Sequence, residues 1–380
     1  MSVFLSSIIK IARSPNIQLL VPCRNVHFTT VNYLYSPAAI GVDSYLQTRK
    51  RVQEQFANFS DKFRVKMNDF VSDPKNKIFT EDLKNMVHIA EPSDLELVVK
   101  MVRKFNSETS EFRFGSFVFG PVVMRMFYFL DAPEQALQCF NDPANNGFFD
   151  QLVTFQILLD LLYNHEMYDQ MYEVFDKLKE KQINMIKYPK YPVVLVLAAC
   201  YKQNTPKSLE YASQLWTDML KVGTVPLRRA STFIAALALK QGAPHIALES
   251  ISMQRSHYVT IRNIKVMALA DMGRVDDTLP VLKQVLEVDK PDQEGKHTFF
   301  NEAVERVRQA VEKSNNKDVK KEFENIEKAL KDRGLIDSQV LDQLLNTEIA
   351  PSSKAGQSQG LPGRQFRQMP YGMRKKTTFK

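Results

Sequence analysis

The sequence predicts an all-α protein, a right-handed solenoid of antiparallel helix pairs with helical extensions at both ends. Three observations carry this. From Ser44 onward apolar residues recur at spacings of three and four, and almost no stretch alternates for long enough to make a strand. Between residues 117 and 288 the helical stretches, of about 12 to 16 residues, come in pairs that return at periods in the thirties, as helical repeats do when they bury one another's faces. Helix breakers or caps stand where an antiparallel partner must begin: Asp131 with Pro133, Thr205 with Pro206, Gly242 with Pro244, and Gly273.

Taken in chain order, residues 1–35 read as a mitochondrial transit peptide. Lys10, Arg13 and Arg24 occur there without a single acid, and Val3, Phe4, Ile8, Ile9 and Ile11 fall on one side of a helix before Pro15. Such a helix is drawn to anionic membrane and by an inward-negative potential. The alternative, a secretory signal, rests on the apolar run 17–21, which is short and has its charges scattered instead of placed ahead of it. Residues 44–116 form an N-terminal helical region and 117–290 the repeats.

The clearest repeat is VTFQILLDLLYNHEMYDQMYEVFDKLKEKQINMIK, residues 153–187. Its first helix presents Phe155, Leu158, Leu159 and Leu162, and its second Met171, Val174, Phe175 and Leu178. A preceding unit at 117–147 aligns with it at an offset of 35, and units at 191–226, 228–253 and 259–288 follow, making about five pairs. Residues 296–347 are charged helices with a narrow stripe of Phe299, Val304, Val307 and Val311, suited to capping the array or meeting a partner helix. Residues 349–380, rich in Ser, Gly, Gln and Pro, read as a disordered basic tail.

The formal net charge of +8 is unevenly placed. The leader holds three basic residues and the tail seven (Lys354, Arg364, Arg367, Arg374, Lys375, Lys376, Lys380), which leaves 41 basic against 43 acidic residues between them. A phosphate-binding surface in the body must therefore be local. The stretch 177–229, with ten basic residues against Glu180, Glu210 and Asp218, qualifies. Its plainer reading is a set of solvated helix ends. Three scattered cysteines without a CxxC pair support neither a zinc ribbon nor a disulfide framework, and fit a reducing compartment. No apolar run approaches a membrane span.

The repeat at 153–187, with its VTYN-like opening and its charged KLKEKQI close, resembles the pentatricopeptide repeat; the segments FGPVVMRMFYFLD, AACYKQNTPKSLE and RRASTFIAALALKQ share the likeness. The tetratricopeptide repeat fits less well. The resemblance implies binding of single-stranded RNA, such as an mRNA precursor, in the mitochondrial matrix, with a role in transcript maturation, processing or stability and so in respiratory-chain function. It further implies that RNA lies along the concave face and that a base is read chiefly by the fifth residue of each first helix together with the last residue of the repeat, one base per repeat. Aligned on Gln156 as a fifth position, the matching residues are approximately Pro121, Gln156, Val194, Ile234 and Arg262. Only Gln156 and Arg262 can hydrogen-bond a base edge, so base-by-base reading is not expected at the other three.

The remaining candidate contacts are Arg228 and Arg229, which open a first helix, and Lys187 and Lys190, which interleave with Tyr188 and Tyr191 as single-strand binding requires. Against these stand packing roles for the tyrosines and plain solvent exposure for the arginines. Trp216 reads as core. No Gly-rich phosphate loop, HExxH, GxSxG or metal-spaced histidine set occurs, so neither catalysis, a cofactor nor a small-molecule substrate is expected. A rival reading from another class is an RNA-independent scaffold in mitochondria, serving the mitoribosome or assembly of a respiratory complex.

Overall fold

A computed structural model describes residues 34–107, 117–255, 258–287 and 297–350. The expected transit peptide, apart from its last two residues, and the tail beyond Ala350 lie outside them. Seventeen α-helices, three single-turn 3-10 helices and two two-residue strands make up the described secondary structure, as an all-α helical-repeat solenoid should.

The helices alternate between two rows. The first row holds α1 (Val42–Phe56), α3 (Thr80–Ile89), α5 (Gly120–Phe129), α7 (Leu152–Asn164), α9 (Lys190–Gln203), α11 (Arg228–Lys240), α13 (Val259–Asp271) and α15 (Asn301–Ser314). Each is joined by a short turn to a second helix: α2 (Ser60–Ser72), α4 (Leu95–Ser107), α6 (Pro133–Asn141), α8 (Tyr168–Lys181), α10 (Pro206–Lys221), α12 (Pro244–Ile251), α14 (Val275–Glu287) and α16 (Lys317–Asp332). Every first helix packs on the first helix before and after it. Because an intervening helix reverses the chain each time, the first helices run parallel. The stacking therefore continues beyond the five pairs legible between 117 and 288, and takes in two pairs before them and one after.

The N-terminal pairs are fastened onto the repeats. Arg49 on α1 donates to the carbonyls of His88 (3.1 Å) and Ala90 (2.7 Å), pairs with Glu91 at 2.7 Å, and lies 4.8 Å from the Phe129 ring of α5. Arg103 on α4 meets Asp142 at 2.6 Å, and Arg125 on α5 donates to the Ile40 carbonyl at 2.8 Å. At the other end, β1 (Phe299–Phe300) pairs in parallel with β2 (Ile336–Asp337), setting Phe299 and Phe300 in the core ahead of α15.

Local sequence explains the turns. Asn204 takes a left-handed conformation (φ 47°) to end α9, and Thr205 then caps α10 by accepting from the Ser208 N–H at 3.1 Å while the Ser208 hydroxyl accepts from the Thr205 N–H at 2.9 Å. Pro206 follows at the first helical position, where its missing N–H costs nothing.

Second helices are amphipathic, as α8 shows with only Met171, Val174, Phe175 and Leu178 buried. First helices differ. Every residue from Ile157 to Tyr163 on α7, from Pro192 to Tyr201 on α9, and from Ala230 to Leu239 on α11 is buried. Neighbours in the two rows cover part of each circumference, and the chain itself covers more. A short helix, α17 (Leu341–Leu345), packs against α11, and residue Ile349 bridges in parallel to Tyr35 ahead of α1. The two ends of the described chain thus meet over the first row as a strap.

Candidate nucleic-acid interface

The parallel first helices bring their N-terminal ends to one edge of the array. An N-terminus leaves backbone N–H groups unpaired and carries the positive end of the helix dipole, so aligned ends favour an anion. At this edge α9 is preceded by Lys187 and opens on Lys190, α11 opens on Arg228, and the turn before α13 holds Arg255. All four are exposed, and none has a carboxylate partner among the described residues. Other basic residues of the 177–229 stretch are committed: Lys177 to Asn141 at 2.7 Å, Lys179 to Asp176 at 2.6 Å, Lys181 to Asp150 at 2.8 Å and Lys221 to Asp218 at 3.3 Å.

Aromatic rings are interleaved with these cations. The Arg228 guanidinium sits 3.9 Å from the centre of the Tyr258 ring, which joins the start of α11 to that of α13. Lys187 stands 5.5 Å from the buried Tyr188 ring, and Tyr191, 54 % exposed, meets Tyr35 edge-on at 6.1 Å. Lys187 also helps hold the Asp218 carboxyl below the usual range, after hydrogen bonds from Gln214 and Lys221; the edge extends to the end of α10. Charge that can track a backbone beside rings that can stack on bases is the requirement for gripping single-stranded nucleic acid.

The candidates read from the sequence thus divide. Lys187, Lys190 and Arg228 come together at the edge. Gln156 is half-buried on α7, away from that cluster in sequence. Arg229 points into the strap: it donates through Nη1 to the Leu344 carbonyl at 2.5 Å and through Nη2 to that of Thr347, and burial with the nearby Arg228 charge lowers its pKa. Arg262 is only 5 % exposed, with its Nη2 2.9 Å from His297 Nδ1 and its guanidinium 5.7 Å from the Phe299 ring. It helps seat β1. Of the base-reading positions that the repeat resemblance assigns, Gln156 and Val194 are the fifth residues of α7 and α9, but α5, α11 and α13 start so that their fifth residues are Met124, Thr232 and Asn263 in place of Pro121, Ile234 and Arg262. Val194, Met124, Thr232 and Asn263 are all buried. Trp216 is core at 4 % exposure.

Arg255 and Tyr258 were missed by sequence reasoning. The signal was present: RSHY at 255–258 sets a basic and an aromatic residue just ahead of a first helix, as KYPKY does at 187–191. Buried Asp160 on α7 also escaped notice. Its Oδ2 accepts from the Tyr128 hydroxyl at 2.9 Å, and full burial pushes its pKa up to about 7 against the favourable contacts of Tyr128, the Tyr35 backbone and Asn164. Among the described residues no cluster of His, Cys, Asp and Glu is disposed to hold a metal, and no helix is long and apolar enough to cross a membrane.

No family model matches the chain. It is similar to the pentatricopeptide repeat-containing protein 2, mitochondrial, of several vertebrates: 27 % identical over 319 residues in Danio rerio, covering 82 % of this chain and 80 % of the relative. With that of Mus musculus it is 27 % identical over 239 residues, and with that of Homo sapiens 28 % over 240. These matches span 62 % and 61 % of the mouse and human relatives, less than two thirds of their length.

Proposed function

The chain is a member of the pentatricopeptide-repeat family, and from that premise we propose that it is a non-catalytic RNA-binding protein of the mitochondrial matrix. It holds single-stranded RNA by its phosphates and by stacking, in support of transcript maturation or stability and thereby of respiratory-chain function. The observation that carries the reading is the edge at the starts of α9, α11 and α13, where Lys187, Lys190, Arg228 and Arg255 lie beside Tyr191 and Tyr258 with no carboxylate at ion-pair distance among the described residues. Such a grip is tolerant of sequence, because every phosphate and every base face is alike to it. It agrees with the burial of Met124, Val194, Thr232 and Asn263, the fifth residues of α5, α9, α11 and α13. Fluorescence anisotropy of a labelled oligouridine with the full chain tests it: saturable binding near about 100 mM salt is expected, and absence of binding there defeats it.

A second reading, an RNA-independent scaffold, is favoured by apolar residues near the same edge: Met185 at 96 % exposure, Val222 at 57 % and Val225 at 62 %. Partners that survive nuclease treatment in a pull-down from mitochondria support the scaffold; partners lost with the RNA support the leading reading.

A further inference from the structure

The strap meets the first helices through polar contacts of one kind. Asp342 of α17 accepts from the Tyr201 hydroxyl of α9 at 2.7 Å and stands 3.8 Å from Lys240 Nζ of α11, which itself lies 3.8 Å from the centre of the Tyr201 ring. Arg229 donates to the carbonyls of Leu344 and Thr347. In each case the array supplies the donor (phenol, ammonium or guanidinium) and the strap the acceptor. The acceptors are poor in charge for the cations they face. Arg229 meets only neutral carbonyls; Lys240 has Asp342 but also the repulsion of Lys202; and Glu302, which also acts on Lys240, is held by Arg306 at 2.8 Å. A phosphodiester backbone offers the same acceptors with a full negative charge at each unit.

The strap is also lightly held. Its helix has five residues, too short to persist unaided, and its fully or nearly buried apolar anchors are Leu341 and Leu345. Past α17, the Ile349 N–H donates to the Leu34 carbonyl at 2.8 Å and the Ser36 N–H to the Ile349 carbonyl at 3.2 Å. Tyr35, the bridge partner, packs on Tyr191 of the cationic edge, so the end of the strap that meets Arg229 adjoins the edge, while Asp342 reaches the far ends of α9 and α11.

We propose that residues 340–350 are an internal stand-in for RNA backbone: lying along α11, they occupy a phosphate seat with two contact points, Arg229 at the start of α11 and, about 16 Å along the helix, Lys240 with Tyr201 at the far ends of α11 and α9, and single-stranded RNA bound at the edge takes that seat by displacing them. The proposal rests on the RNA-binding reading and adds its regulation. The seat is closed in the free protein, and the array's affinity is reduced by the fraction of molecules in which the strap is docked.

Hydrogen exchange on the full chain, with and without saturating oligouridine, tests this together with Leu345→Ala, which loosens the strap without changing charge. Exchange at the Ile349 amide is expected to quicken when RNA is added, and Leu345→Ala to bind oligouridine at least about fivefold more tightly than the parent. Saturable binding that leaves Ile349 as protected as before, or an unchanged affinity in Leu345→Ala, overturns the strap proposal and leaves RNA binding at the edge intact. If neither parent nor variant binds oligouridine, both readings fall.

Discussion

Replacing Lys190 and Arg228 together with alanine removes two of the four edge cations that have no carboxylate partner among the described residues, and both side chains are exposed. For single strands, each phosphate neutralised contributes about −0.7 to the slope of log affinity against log salt. Four contacts from Lys187, Lys190, Arg228 and Arg255 give a slope of about −2.8, or roughly a 50-fold loss of affinity between about 50 and 200 mM salt. The double variant should keep about half that slope, with roughly a sevenfold loss over the same range. The seven basic residues beyond Glu348 add their own dependence, but equally to both proteins, so the difference of about 1.4 is the quantity to read. Anisotropy titrations of labelled oligouridine at four or more salt concentrations supply it. Equal slopes in parent and variant would refute the assignment of phosphate contacts to this edge, whatever the absolute affinity.

Three further outcomes follow from particular contacts. Asp160 binds its proton with a pKa of about 7 when folded, against about 4 when unfolded, so the native state holds a proton that the unfolded chain releases. Its contribution is therefore complete below about pH 4 and is lost as pH rises to about 7, at up to roughly 1.4 kcal/mol per unit. Asp160→Asn should abolish this slope, and its melting temperature should gain on the parent's between pH 5 and 8; parallel pH profiles would contradict the assignment. Arg49→Ala leaves the His88 and Ala90 carbonyls unpaired beneath α1, and should cost about 2 to 4 kcal/mol in urea unfolding. Gly120→Ala would set its Cβ 2.0 Å from Gln151 Oε1 and 2.9 Å from the Phe148 carbonyl; the glutamine can swing aside but the backbone cannot, so a loss of about 1 to 3 kcal/mol is expected by the same method.

The repeat architecture was legible wherever two features coincided: an apolar period of three to four, and a breaker at the turn. Residues 153–187 have both, and α7 and α8 fall where their stripes place them. The pairs α1/α2, α3/α4 and α15/α16 were harder to read as repeats because their helices are more charged and the spacing between starts widens, from Val259 to Asn301 for example. The apolar circumference of YPVVLVLAAC, and the run FIAALAL on α11, already implied that something covers the first helices on their remaining side. What covers them could not be read. Tyr35 and Ile349 are more than three hundred residues apart, and neither they nor Asp342 carry a local pattern announcing a partner. The same distance problem hid the fate of Arg229. Arg228 and Arg229 are indistinguishable in sequence, yet the helical rotation between them sends one to Tyr258 at the edge and the other to the carbonyls of the strap.

The central claim, that RNA is gripped at the edge where α9, α11 and α13 begin, is tested most directly by mapping where RNA touches the protein. Ultraviolet cross-linking of oligouridine to the full chain, followed by mass spectrometry of the adducts, should place them on Tyr191 and Tyr258 and on the peptides that carry Lys187, Lys190, Arg228 and Arg255. Adducts confined to the tail beyond Ala350, or spread over the second helices, would contradict it.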